Sequence, residues 1–145
     1  MPRRNAAAAR SFAVVLSCEH GGNRVPAAYA QLFRGAAGLL ETHRGYDRGS
    51  LAFARGLARR LRTPLFAATT TRMLVDLNRT PGHPRVFSRY VRKLPEADLA
   101  ELMRRFHTPP RLRVERAVEA AVAKGACVLP LAVHSFTPVL FGKQR

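Results

Sequence analysis

Apolar positions along the chain change period several times, and each change predicts an element. Residues 12–16 are a continuous apolar run, Phe-Ala-Val-Val-Leu, which predicts a short buried strand. The run empties into Ser17-Cys18-Glu19-His20-Gly21-Gly22-Asn23, an ionisable cluster on a flexible turn. Residues 26–33 predict a short helix with Pro26 at its start, broken by Gly-Ala-Ala-Gly at 35–38. Residues 39–47 form a connection carrying Glu41, His43 and Asp47. Helical spacing is clearest over 48–62, where Leu51, Ala54, Leu57, Ala58 and Leu61 make one stripe and Arg55, Arg59 and Arg62 fall opposite. Residues 64–68 predict a second strand, and 69–77 either extend it or add an adjacent strand through Met73-Leu74-Val75.

Residues 78–94 show neither period and hold four arginines without an acid, the pattern of a long loop that is functional or mobile. A helix is predicted over 96–106, interrupted by Pro109-Pro110, and resumed over 112–123 with Val114, Ala117, Val118, Ala121 and Val122 as its buried stripe. Lys124-Gly125 ends it. A last strand over 127–133 leads into His134-Ser135-Phe136-Thr137-Pro138. Strands alternating with helices predict an α/β fold, a three-layer arrangement around a mostly parallel sheet.

Composition adds constraints. The 145 residues fit one domain able to bury a core, and 47% hydrophobic with 23% charged residues is a globular balance. The net charge of +16 raises nucleic acid, an anionic membrane surface or acidic small molecules as partners. The basic residues, however, are 22 Arg against 3 Lys spread along the whole chain, and no basic block is interleaved with aromatics. That distribution fits a compositional bias better than a phosphate-binding face, so a basic nucleic-acid-binding protein is the alternative reading. Two cysteines, Cys18 and Cys127, make no disulfide framework, and the expected compartment is cytoplasmic. Residues 1–11 are expected to be a basic flexible tail: Arg10 splits the apolar stretch a signal sequence would need. No segment is long enough to span a membrane.

Candidate chemistry gathers at three places. His20 follows the first strand, Asp47 precedes the strongest helix, and His134 follows the last strand. In a parallel sheet both histidines lie at the carboxyl edge, where open α/β sheets bind ligands. Two imidazoles and a carboxylate with an open position suit catalytic zinc. Each residue alone also has an ordinary explanation: a tight Gly-Gly turn at His20, a helix N-cap at Asp47, a strand end at His134. The residues by themselves leave both open, with His43 as a rival or outer partner. Asn23 suits substrate orientation better than metal binding. A second cluster, Thr71-Arg72-Met73-Leu74-Val75-Asp76-Leu77-Asn78-Arg79, frames an Asp and an Asn with arginines, whose planar forks suit a substrate with carboxylates. The ordinary counterpart is an Arg72–Asp76 surface pair. Attack by the Cys18 thiol is a third, weaker reading, because no orienting group is evident.

Ser-Cys-Glu-His-Gly-Gly-Asn (17–23), His-Arg-Gly-Tyr-Asp-Arg-Gly (43–49), Thr-Arg-Met-Leu-Val-Asp-Leu-Asn-Arg (71–79) and His-Ser-Phe-Thr-Pro (134–138) occur in this order. Together they resemble the N-formylglutamate amidohydrolase family, over nearly the whole chain from residue 12. The resemblance implies a phosphorylase/hydrolase-like α/β/α fold and zinc-assisted hydrolysis of the amide of an N-formyl or N-acyl amino acid such as N-formylglutamate. It implies one Zn2+ held by His20, Asp47 and His134, with Arg72, Asn78 and Arg79 on the substrate carboxylates. His107-Thr108-Pro109-Pro110-Arg111 resembles the family more loosely, with Arg111 a further anion contact.

Related enzymes take a general base from a strand in the C-terminal part of the fold, and this chain is expected to lack that part. Glu19 is then the nearby carboxylate, either the catalytic base or a group orienting His20. A shortened reading frame is the expected cause, one that can leave the chain inactive, and the strand at 127–133 is expected to stand as an exposed apolar edge.

Overall fold

The computed structural model describes residues 11–140 and 142–144; the expected basic tail, apart from Ser11, lies outside the described residues. Strand β1 (Phe12–Cys18) is the centre of a three-stranded sheet, paired in parallel with β2 (Leu65–Ala67) on one side and β3 (Cys127–Ala132) on the other. A central parallel strand is covered on both faces, which is why β1 reads as an unbroken apolar run and why Val15 to Cys18 are buried. Side chains alternate across it. Leu16 and Cys18 face helix α2 (Ser50–Leu61) with Leu65, Ala67, Leu131 and Val133, closing on Ala54. The opposite face is covered by α4 (Thr108–Ala123), so the expected three-layer α/β/α arrangement is present.

All three strands point the same way, so their carboxyl ends share one edge. β1 exits there into Glu19 and His20, and β3 exits into His134. Among the described residues no strand pairs with the far side of β3, and Leu129 is 53% exposed. Val122 on α4 is also exposed, and Val114, Ala117, Val118 and Ala121 are only half-buried.

A second core lies beyond the carboxyl edge. Phe33 closes a 3-10 helix (Ala27–Phe33), and Ala36 precedes the single-turn helix α1 (Ala37–Leu40). These two residues pack with Met73, Leu74, Val91 and, from α3 (Glu96–Leu102), Leu102. This core corrects the expectation of strand structure over 69–77. Beyond β2 that segment makes only an isolated bridge, Arg24 to Thr70, and then turns. Thr71 directs the turn: its Oγ1 accepts from the Met73 N–H at 3.2 Å and donates to the Gly45 carbonyl at 2.9 Å. Met73 and Leu74 thereby enter the second core instead of a sheet. The long loop at 78–94 contains no helix or strand, yet Val86 and Val91 anchor it.

Pro109 and Pro110 do not interrupt the helix as expected. A π-helical stretch (Met103–His107) joins α3 to α4 without a break, and the prolines fall in the first turn of α4 directly after this wider stretch. A small antiparallel pair, β4 (Val139–Leu140) and β5 (Lys143–Gln144), follows the last motif.

Candidate metal centre

His20 is placed by backbone bonds on both sides of its turn. The Gly21 N–H donates to the Ala68 carbonyl and the Arg24 N–H to the Thr69 carbonyl, each at 3.0 Å, so the turn lies flat on the exit of β2. A Cβ at Gly22 would come within 2.7 Å of the Thr69 oxygen, which explains why this turn takes glycine. The Asp47 N–H donates to the His20 carbonyl at 2.9 Å, fixing the two residues to one another. The Val133 N–H reaches the Ser17 carbonyl, which sets where His134 leaves the sheet.

These constraints bring His20, Asp47 and His134 together, each offering a donor atom within 4.8 Å of the others. Asp47 Oδ2 is 2.8 Å from His134 Nδ1 and 3.5 Å from His20 Nδ1. The imidazole centroids are 5.2 Å apart. His20 Nδ1 is buried and has no hydrogen-bond partner. A buried ring nitrogen that faces a carboxylate oxygen without bonding to it is available as a ligand atom, so the two imidazoles and the carboxylate could hold a metal ion.

The N-cap explanation for Asp47 fails on inspection of the helix start. Gly49 is the residue preceding α2, and the Asp47 carboxylate goes to His134 and Arg72. Cys18 is also removed from the chemistry. It is fully buried toward α2, its Sγ is 3.4 Å from Ser50 Oγ, and burial pushes its pKa up, away from the thiolate.

Around the centre stand two carboxylates. Asp76, not singled out from sequence as a site residue, places Oδ1 2.7 Å from His20 Nε2, while its Oδ2 accepts from Arg72 at 2.8 Å. The Arg72–Asp76 pair therefore exists, but Asp76 is only 7% exposed and faces the centre, not solvent. An i,i+4 Arg–Asp spacing gave no sign of this, because the bond to His20 spans 56 residues. Glu19 accepts from the Ser17 hydroxyl at 2.6 Å and lies 3.4 Å from His134 Nε2, so it neighbours His134 and not His20.

Burial opposes the charged form of His20, but Asp47 and Asp76 outweigh it and raise its pKa. Burial would raise Asp47, yet the bond from His134, with the neighbouring His20 ring and the Arg72 charge, holds it well below the usual carboxylate range. Asp76 is brought down to about 2 in the same way, against burial, by His20 and Arg72.

The remaining residues divide. Arg72, Asn78, Arg79 and His43 line a cavity of about 350 Å³ in front of the two histidines. Arg72 is already engaged by Asp76, whereas the Arg79 Nε lies 4.0 Å from that carboxylate and makes no hydrogen bond. Asn23 and Arg111 do not line this cavity. Asn23 donates to the Leu40 carbonyl and to Glu41, and Arg111 donates to the Leu77 carbonyl at 3.1 Å. His107, buried, bonds the Arg79 carbonyl at 2.8 Å and so anchors the loop that presents Arg79.

Among solved structures, the chain is similar to the crystal structure of gene product Atu2144 from Agrobacterium tumefaciens. The match has a TM-score of 0.81 and 30% sequence identity over 91% of this chain and 55% of that one. The chain thus spans just over half the length of that neighbour. No curated protein matches it. Residues 12–145, which carry both cores and all three donor residues, match the N-formylglutamate amidohydrolase family, and the chain belongs to that family.

Proposed function

We propose that the chain is the metal-binding portion of a zinc-dependent amidohydrolase that cleaves the amide bond of an N-formyl or N-acyl amino acid carrying carboxylates, such as N-formylglutamate. The observation that carries this reading is the convergence of His20, Asp47 and His134, with the Nδ1 of His20 left unbonded. These three residues would hold the ion. When bound, zinc supplies a Lewis acid for the amide carbonyl and a water acidified toward neutral pH.

The chain's own residues do the rest of the positioning. Arg79 and Asn78 line the cavity on the substrate side, and Arg79, 4.0 Å from Asp76 but without a hydrogen bond at Nε, suits a substrate carboxylate. Arg72 bridges Asp47 and Asp76, at 3.5 and 2.8 Å, and keeps both carboxylates ionised beside the histidines. Asn23 and Arg111 support this arrangement from outside the cavity by fixing the segments at Leu40 and Leu77.

Purified chain is tested for metal content and for formate release from N-formylglutamate. About one zinc per chain is expected, absent when His20→Ala and His134→Ala are combined. Metal retained by that double variant would overturn the site, and formate release that persists unchanged after zinc is removed would overturn the zinc-dependent activity.

A further inference from the structure

An imidazole binds a metal through one nitrogen and must then carry its proton on the other, so the acceptor at the second nitrogen decides which one faces the ion. Each histidine of the centre has one nitrogen toward Asp47 and the other toward an outer carboxylate, although the hydrogen bond is at Nε2 in His20 and at Nδ1 in His134. His20 turns Nδ1 toward Asp47 Oδ2 at 3.5 Å and Nε2 toward Asp76 Oδ1 at 2.7 Å. His134 turns Nδ1 toward the same Asp47 oxygen at 2.8 Å and Nε2 toward Glu19 Oε2 at 3.4 Å. The outer carboxylates are themselves held. Asp76 accepts from the Asn78 N–H at 3.0 Å and from Arg72, and Glu19 accepts from Ser17 at 2.6 Å. Glu19 Oε2 is buried and makes no hydrogen bond, with His134 Nε2 the basic atom beside it at 3.4 Å.

We infer that Glu19 and Asp76 are a matched pair of positioning residues, one for each histidine, that hold both rings with the proton on Nε2 and Nδ1 directed at the metal. The inference rests on the metal reading above. It also gives Glu19 a role other than that of proton acceptor for the hydrolytic water. Its free oxygen addresses the nitrogen of His134 that points away from Asp47, so the imidazole stands between Glu19 and the position shared by the three ligand atoms. A base must reach the reacting proton directly or through one water; Glu19 reaches the ring instead.

The test uses the full chain and the variants Glu19→Ala, Glu19→Gln and Asp76→Ala, checked for folding by circular dichroism. Zinc affinity is measured by competition with a chelator, and ring protonation by long-range nitrogen–proton NMR. Loss of either outer carboxylate is expected to weaken zinc about 10- to 100-fold. Glu19→Gln keeps an acceptor and is expected to restore most of that affinity. The zinc-loaded spectrum is expected to show both rings metallated at Nδ1 and protonated at Nε2. If Glu19→Gln abolishes turnover while Glu19→Ala leaves zinc affinity unchanged, Glu19 is the base and the inference is overturned. Nε2 metallation of either ring overturns it as well. If the parent chain takes up no zinc, the metal reading fails by itself. The zinc-free spectrum at alkaline pH still decides the Asp76 half: Nε2–H in His20 supports it and Nδ1–H in His20 refutes it, whereas His134, whose Nδ1 donates to Asp47 when no metal is present, is read in the zinc-loaded chain.

Discussion

His134 Nδ1 lies 2.8 Å from Asp47 Oδ2, although 87 residues separate them. This contact joins the exit of β3 to the segment ahead of α2. Asp47 also faces His20 and Arg72, which keep their bonds to Asp76, so its removal leaves His134 Nδ1 without its hydrogen-bond partner and takes a carboxylate away from two buried or half-buried cationic groups. Asp47→Ala is expected to abolish zinc binding and to cost about 3 kcal/mol in urea unfolding, the scale for breaking a buried charged pair. Asp47→Asn, which keeps the shape, is expected to lose the metal at a smaller cost in stability. Equal stability of the parent and Asp47→Ala chains would contradict the contact.

The pH dependence of the metal-free chain follows from three shifted groups. Asp76, with a folded pKa of about 2, and Asp47, lower still, contribute stability that is present above the ordinary carboxylate pKa and lost as pH falls through their folded values. His20 is raised, so its contribution is full below the ordinary histidine pKa and lost as pH rises through the folded value. Thermal unfolding is expected to show a maximum in mildly acidic solution with a decline on both sides. The alkaline decline should be absent from His20→Asn. Zinc replaces the Nδ1 proton of His20, so zinc affinity is expected to fall on acidification through the same pKa.

Cysteine labelling checks the orientation of β1. Cys18 is fully buried against α2 and Cys127 is exposed. Native chain treated with iodoacetamide is expected to gain one label by mass spectrometry, at Cys127, and a second only after unfolding. Rapid labelling of Cys18 would mean that the strand faces the other way.

Arg79 and Arg111 separate the two kinds of arginine in the site. Arg79→Ala is expected to raise KM for a dicarboxylate N-formyl amino acid about tenfold, the scale of one charge-assisted hydrogen bond. Arg111→Ala, whose guanidinium is spent on the Leu77 carbonyl, is expected to change KM little and thermal stability more. The reverse pattern would move the substrate to the cavity beside α4.

The parts of this fold that were legible in the sequence are those that depend on local pattern. An apolar run ending in Glu19-His20 and another ending in His134 place both histidines at one edge once the strands are parallel, and the structure pairs them so. Side-chain direction was not legible. Glu19 stands next to His20 in the chain but alternation turns it to His134, and the functional cast of the Asp76-Leu77-Asn78-Arg79 run gave no sign that Asp76 reaches His20. Met73-Leu74-Val75 carried strand composition, yet Thr71 turned it into a second core that no single window displays. Pro109-Pro110 looked like a break because a π-helical stretch upstream cannot be read from composition.

Pro130 gives the open edge of the sheet a particular character. The N–H groups of Cys127 and Val133 point to β1, bonding Ser11 and Ser17, so by alternation the backbone of residue 130 faces outward. The missing donor of Pro130 therefore takes nothing from the β1 ladder. It leaves a gap midway along the free edge, where an incoming strand from another molecule would look for a hydrogen bond. The edge that β3 leaves uncovered is thus a poor template for unselective strand-to-strand association.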